Sequence, residues 1–309
     1  IFNDGAKIKF SQNVFLNGNA ARGMMSYGGA IFNNYYIVEP NETQGILTFE
    51  GSADFTKNKA GAATTYLVDP YPVFSALGGA IFNYAGKINF TQTANFDQNV
   101  AQGCFYATGG AISNSSINLL GKNLYRAVLN FDGDTSFTNN SAISLPYLND
   151  PTKGIGSAHG GAIFNFNGVI SFGKNADINV LFENNKVQGT ENANGGAISN
   201  TEAGALVING KGSFINNSAT VLASYGVAYG GAIYNSASTT TLNARTGDIV
   251  FSGNKATTEG GAIFNANRGI INLNASAGNS IIFESSTDTL ESAQVYSYKY
   301  KGDDKTYYS

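Results

Sequence analysis

Short runs in which apolar and polar residues alternate recur along the whole chain. Lys87-Ile88-Asn89-Phe90, Val169-Ile170-Ser171-Phe172 and Asp248-Ile249-Val250-Phe251 are clear cases. Alternation at period two marks half-buried strands. No segment keeps a period of 3.6, and glycine in a helix interior costs about 1 kcal/mol per residue. The runs sit inside a repeat. Gly-Gly-Ala-Ile-x-Asn begins at Gly28, Gly78, Gly109, Gly160, Gly195, Gly230 and Gly260, with Phe, Tyr or Ser at the variable place. Phe-x-x-Asn falls once per interval, starting at Phe10, Phe55, Phe96, Phe137, Phe182, Phe214 and Phe251.

Three short strands per repeat, joined by turns, predict an all-β fold. The expected architecture is a right-handed parallel β-helix, a three-sided solenoid with loop insertions, over residues 1–284. Stacked coils place equivalent residues about 4.8 Å apart. Inward Ile and Phe then form continuous columns, and each coil is buried only by its neighbours. The paired glycines allow positive φ and a corner that a Cβ would obstruct. The motif asparagine can bond local backbone, take a left-handed φ and stack as an amide ladder.

The shortest intervals, Gly78 to Gly109 and Gly230 to Gly260, are 31 and 30 residues, whereas those near 50 carry insertions. All five prolines (Pro40, Pro70, Pro72, Pro146 and Pro151) fall in insertions, as expected of a residue that cannot donate to a sheet ladder. Two insertions share a sequence: Tyr66-Leu67-Val68-Asp69-Pro70 and Tyr147-Leu148-Asn149-Asp150-Pro151. They follow Phe-x-x-Asn elements two coils apart, so they should project from one edge, roughly 10 Å from each other. An insertion is free of the column register and can specialise for binding. Tyrosine supplies rigid amphipathic contact area. Tyr66, Tyr71, Phe74 and Tyr147 are therefore the candidate partner-binding residues. The competing reading is that such rings, Tyr35, Tyr36, Tyr106, Tyr225 and Tyr229 included, merely pack insertions onto the coil wall.

From Ser285 the repeat lapses. Tyr296-Ser297-Tyr298-Lys299-Tyr300 alternates, and Gly302-Asp303-Asp304 reads as a turn. Residues 285–309 are expected to form a terminal cap or a linker. The chain opens on Ile1-Phe2-Asn3, the second half of the glycine motif, so it reads as a piece of a longer protein.

Composition narrows the function classes. Of 309 residues, 42% are hydrophobic and 13% charged, with 38 Gly, no Trp and one His. That is enough apolar material for a core. A net charge of −3 gives no electrostatic case for nucleic acid or anionic lipid. Cys104 stands alone, so neither an intrachain disulfide nor a thiolate zinc site is available. No run of about 18 apolar residues exists to span a membrane as a helix.

Catalysis on a β-helix needs acids and bases converging on one face. The positions after the motif phenylalanines are Ser11, Thr56, Asp97, Thr138, Glu183, Ile215 and Ser252, with no acids on adjacent coils. Asp132 and Asp134 form the densest acidic spot and lack an evident basic partner. His159 is isolated in sequence from other catalytic residue types. The glycines lead into Ala-Ile, unlike the Gly-Gly-x-Gly-x-Asp frame of calcium-binding rolls. No catalytic, cofactor-binding or metal-ligating residue is assigned, and no cofactor is expected.

Gly-Gly-Ala-Ile alternating with Phe-x-x-Asn over roughly residues 1–265 resembles the repeats of the chlamydial polymorphic membrane proteins, a pattern also found in related repeat proteins of other bacteria. The resemblance implies an autotransporter passenger: an extracellular β-helix, exported through a C-terminal outer-membrane barrel, that acts in adhesion. It would be attached to the bacterial outer membrane or secreted. No array of ten-residue alternating strands follows the repeats, so membrane attachment is expected only through an anchor or barrel outside this chain. The resulting expectation is a non-catalytic surface β-helix whose insertions contact a host-cell receptor, a glycan or a neighbouring copy of itself. A structural subunit of a cell-surface filament or sheath is the first alternative. A secreted carbohydrate-active β-helix enzyme is the second.

Overall fold

The computed structural model describes residues 1–38, 41–61, 75–116, 125–146, 156–284, 295–301 and 304–308. Every regular element among them is a strand. The coil from Gly78 to Thr108 shows how a repeat is built. Its strands are Ile81–Tyr84, Lys87–Phe90, Ala94–Asp97, Val100–Gly103 and Tyr106–Thr108. Five short strands stand where the sequence pattern anticipated three, because the corners are sharper than the hydrophobic alternation reveals. Ala85 and Gln98 interrupt the coil in the left-handed region, at φ 51° and 55°.

Each strand pairs in parallel with its equivalents on the coils before and after. Ile81 lies between Ile31 and Ile112, Phe96 between Phe55 and Phe137, and Ala107 between Ala76 and Ala158. The described strands collect into four sheets, and the chain is a parallel β-helix. The sheet of Ile81–Tyr84 is called here the motif sheet. The next two strands of each coil share an aromatic sheet, and Ala205–Ile215 runs through both positions as one strand. The strand Val100–Gly103 belongs to an alanine sheet and Tyr106–Thr108 to an edge sheet.

The core consists of columns. The seven motif isoleucines are fully buried. Phe55, Phe96, Phe137, Phe182, Phe214 and Phe251 stack face to face at 4.6–4.9 Å. A second stack, Phe10, Phe49, Phe90, Phe131 and Phe172, runs beside it at 4.7–4.8 Å. The two stacks meet edge to face, as with Phe131 and Phe137 at 6.0 Å and 80°, which suits the ring quadrupoles. Under the alanine and edge sheets the core narrows to Ala101, Ala107, Ala142 and Ala158, all fully buried.

Two amide ladders bind the coils together. Asn3, Asn33, Asn83, Asn114, Asn165, Asn200, Asn235 and Asn265 of the glycine motif join side chain to side chain at 2.7–3.0 Å. These residues lie in strands, so the expected left-handed φ belongs elsewhere. It falls on the residue before the asparagine of the other motif: Lys57, Gln98, Asn139, Asn184 and Asn216 all have φ of 53–56°. The paired glycines divide their work. The first takes the positive φ, 69° at Gly78. At the second, a Cβ on Gly79 would overlap the carbonyl oxygen of Gly110 in the next coil.

The sequence alignment slips in two places. Phe10 pairs with Phe49, so it belongs to the second phenylalanine stack. The true equivalent of Phe55 in that coil is Leu16, with Asn19 entering the ladder to Asn58. A leucine filling the phenylalanine site hid the register. Ile249-Val250-Phe251 likewise pairs with the segment ending at Phe214, so it is the Phe-x-x-Asn strand itself and not the run before it.

Candidate functional site

Because inward positions are fixed by columns and ladders, only outward positions and insertions are free to recognise anything. The four residues singled out above, Tyr66, Tyr71, Phe74 and Tyr147, lie outside the described residues. The strands that carry their insertions are described. One insertion leaves after Lys59–Gly61 and returns at Ser75–Leu77; the other leaves after Ser141–Ser144 and returns at Ser157–His159. Both gaps open between the alanine sheet and the edge sheet. Their flanking strands are in register two coils apart, through Val100–Gly103 and Tyr106–Thr108.

That same boundary carries exposed apolar side chains on the described coils. Met24, Met25, Tyr106, Leu222 and Tyr225 are 51%, 55%, 53%, 42% and 59% exposed. Tyr106 sits on the coil between the two insertions. Other aromatic residues pack instead. Tyr35 is buried against Tyr125 at 4.7 Å, on a hairpin of Tyr35–Val38 with Asn41–Gln44. Tyr229 stacks on Phe264 at 4.3 Å.

The candidate acids are occupied structurally. Asp134 accepts from the backbone and side chain of Asn179 at 2.8 and 3.0 Å, and Asp132 accepts from the Asn175 backbone at 3.0 Å. Asp97 accepts from Thr138 and Asn139 at 2.7 and 2.9 Å. These carboxylates tie adjacent coils together. Burial pushes the Cys104 thiol pKa up, away from the thiolate a nucleophile needs. Among the described residues no group of three His, Cys, Asp or Glu is placed to hold a metal ion.

A groove of about 550 Å³ crosses the outer face where the motif and edge sheets meet. Phe164 and Tyr234, from the variable place in Gly-Gly-Ala-Ile-x-Asn, line it. At the same place on earlier coils Phe32 and Phe82 stack at 5.2 Å, but the fully buried Ser113 and Ser199 interrupt the row. Ser199 pairs with Phe164 on one side and Tyr234 on the other. Its neighbour across the corner, Asn194, reaches the Nδ1 of His159 at 3.3 Å. Burial lowers the His159 pKa to about 4, so the ring is neutral near pH 7. In the sequence, the only sign of this irregularity is the serine at the variable place of two motifs, Ser113 and Ser199.

No helix among the described residues is long and apolar enough to cross a membrane. Neither a curated protein nor a solved structure matches the chain. A family model for the Chlamydia polymorphic membrane protein repeat matches residues 134–165, 179–201 and 248–266. Each matched stretch begins three residues before the phenylalanine of a Phe-x-x-Asn motif and ends at or just past a motif asparagine. Three stretches of the chain therefore match the repeat of the Chlamydia polymorphic membrane proteins.

Proposed function

We propose that this chain is a non-catalytic, surface-displayed β-helix that acts in adhesion through the edge between its alanine and edge sheets. The observation that carries this is the concentration of exposed Met24, Met25, Tyr106, Leu222 and Tyr225 on that boundary, where both Tyr-Leu-x-Asp-Pro insertions also leave the coil. Exposed aromatic and methionine side chains on a rigid frame supply contact area at low entropic cost. Tyr66, Tyr71, Phe74 and Tyr147, which belong to those insertions in sequence, are assigned to the same binding role, and the partner is a host-cell receptor. Residues 1–284 form the β-helix unit. The strand Val295–Lys301, which pairs with Ile263–Asn265 and then with Asp304–Tyr308, belongs to its cap. The non-catalytic reading is supported by the structural use of Asp97, Asp132 and Asp134. The match to a bacterial membrane-protein repeat supports the reading of display outside the cell.

The test is adhesion of beads coated with the purified chain to cultured epithelial cells. Tyr106→Ser combined with Tyr225→Ser should leave the melting temperature unchanged and lower bead attachment severalfold. Attachment equal to the parent would remove the ridge from the reading.

A further inference from the structure

The groove borders the ridge, sharing Met25 and Tyr106 with it, and extends over the motif sheet to Phe164, Asn194 and Tyr234. Two equivalent corners can be compared. On one, Thr108 Oγ1 donates to Ser113 Oγ at 3.2 Å, and the polar pair closes on itself. On the other, the corresponding residues are Asn194 and Ser199. There the Asn194 Oδ1 and the Ser199 Oγ are both buried without a hydrogen-bond partner, although Asn194 is 9% exposed and lines the groove. Turning the amide over would orphan its nitrogen instead, so one amide atom lacks a partner in either orientation. A buried polar atom without a partner costs roughly 1–3 kcal/mol. Such an atom aimed at a groove marks a place where a ligand supplies the missing bond.

The walls say what kind of ligand. Phe164, Phe166 and Tyr234 offer ring faces, with Phe166 39% exposed. Glu202 is the one formal charge among the lining residues, since His159 is neutral near pH 7. No cation awaits an anionic group, and the carboxylate repels one. The backbone of Ile198–Thr201 and of Asn192–Asn194 is paired on both sides. An extended peptide therefore has no sheet edge to join. What remains is recognition by ring faces, a side-chain amide, a hydroxyl and a carboxylate acceptor.

We infer that this groove binds a neutral oligosaccharide, with a sugar ring seated over Ser199 between Phe164 and Tyr234. Its C–H face stacks on an aromatic ring. One hydroxyl donates to the Asn194 Oδ1, another exchanges a hydrogen bond with the Ser199 Oγ, and Glu202 accepts from a third. The flanking rings turn aside to uncover the two orphan atoms, a side-chain rotation on the fast timescale of surface groups.

The repeat provides a substitution that fills the groove without harming the fold. Phenylalanine occupies the Ser199 place in other coils, as Phe82 and Phe264, so Ser199→Phe restores the aromatic row. The full chain is applied to an array of immobilised neutral, sialylated and sulfated oligosaccharides, and the strongest neutral binder is then titrated calorimetrically. Retention of neutral members is expected. Ser199→Phe, with an unchanged melting temperature, should weaken binding about tenfold or more, the loss typical of a central contact. Tyr234→Ala should weaken it comparably. A chain with both insertions replaced by Gly-Ser turns should bind the same sugars undiminished, which separates the groove from the ridge. Three results overturn the inference: no neutral oligosaccharide retained, retention of acidic ones alone, or a folded Ser199→Phe chain that binds as the parent does.

Discussion

The side-chain nitrogen of Asn99 donates to the backbone carbonyl of Phe55, one coil away, at 2.9 Å. It also reaches the Asn140 Oδ1 on the opposite side at 3.0 Å. The Asn99 Oδ1 in turn accepts from the backbone and side chain of Asn58, each at 3.0 Å. The two named letters of Phe-x-x-Asn are thus bonded to each other across the stack. Only an amide serves here, because the site needs donor and acceptor together.

Asn99→Asp keeps the shape and removes the donor. It places an acceptor against the Phe55 carbonyl and the Asn140 Oδ1 in a fully buried site. The expected loss is on the order of 3 kcal/mol or more, as for uncompensated buried charge. Urea unfolding of the variant at pH 7 measures it, and a change under about 0.5 kcal/mol would deny the ladder its role.

The phenylalanine stack makes a second claim. Phe137 is fully buried, stacked between Phe96 and Phe182 and edge-on to Phe131 and Phe172. Phe137→Ala should cost about 3–5 kcal/mol, and Phe137→Leu clearly less, because leucine serves the same column at position 16. Thermal melts of the pair decide it. Equal losses would mean that leucine cannot serve this column and that the site requires the ring itself.

Two glycines separate space from backbone conformation. Gly18 has φ 70° with nothing near its Cβ position, whereas a Cβ on Gly79 meets backbone of the adjacent coil. Gly18→Ala should cost about 1–2 kcal/mol, the left-handed penalty alone. Gly79→Ala should cost considerably more, since backbone of two strands must separate. Similar melting temperatures for the two variants would contradict the tight corner.

The contrast between Phe55 and Leu16 shows how much was legible. Where both motif residues are present, their identity and spacing reveal the strand, the inward direction and the coil repeat. Where Leu16 replaces phenylalanine, the nearby Phe10-Ser11-Gln12-Asn13 imitates the motif and captures the assignment. Strand pairing alone exposes the substitution. The alanine columns at Ala101 and Ala107 were equally hidden, because a small residue filling a narrow core carries no hydrophobic signal. The insertions were recognisable as such, and the strands flanking two of them occupy equivalent places. The groove depends on Ser199 lying beside Tyr234, 35 residues on in sequence, a juxtaposition only the register of the stack creates.

His159 carries a prediction about pH. Burial lowers its folded pKa from the ordinary 6.5 to about 4. Above pH 6.5 both states hold a neutral ring and the residue contributes no pH dependence. As pH falls from 6.5 toward 4, the unfolded chain takes up a proton that the folded chain refuses, so stability declines. The decline from this residue should amount to no more than about 3 kcal/mol. Urea midpoints of the parent and of His159→Gln, followed from pH 7.5 to 4, isolate it. The variant should show the shallower slope, and parallel curves would contradict the burial of the ring.

The most direct measurement of the central claim, that fixed columns build the frame and the insertion edge does the binding, is cell attachment by a trimmed chain. Residues 62–74 and 147–155 are each replaced by a short Gly-Ser turn, and folding is checked by circular dichroism and melting. The expected result is a β-helix that melts near the parent temperature and no longer attaches to cells. A trimmed chain that stays folded and attaches as well as the parent would contradict it, and would move the function from the insertions to the coil walls.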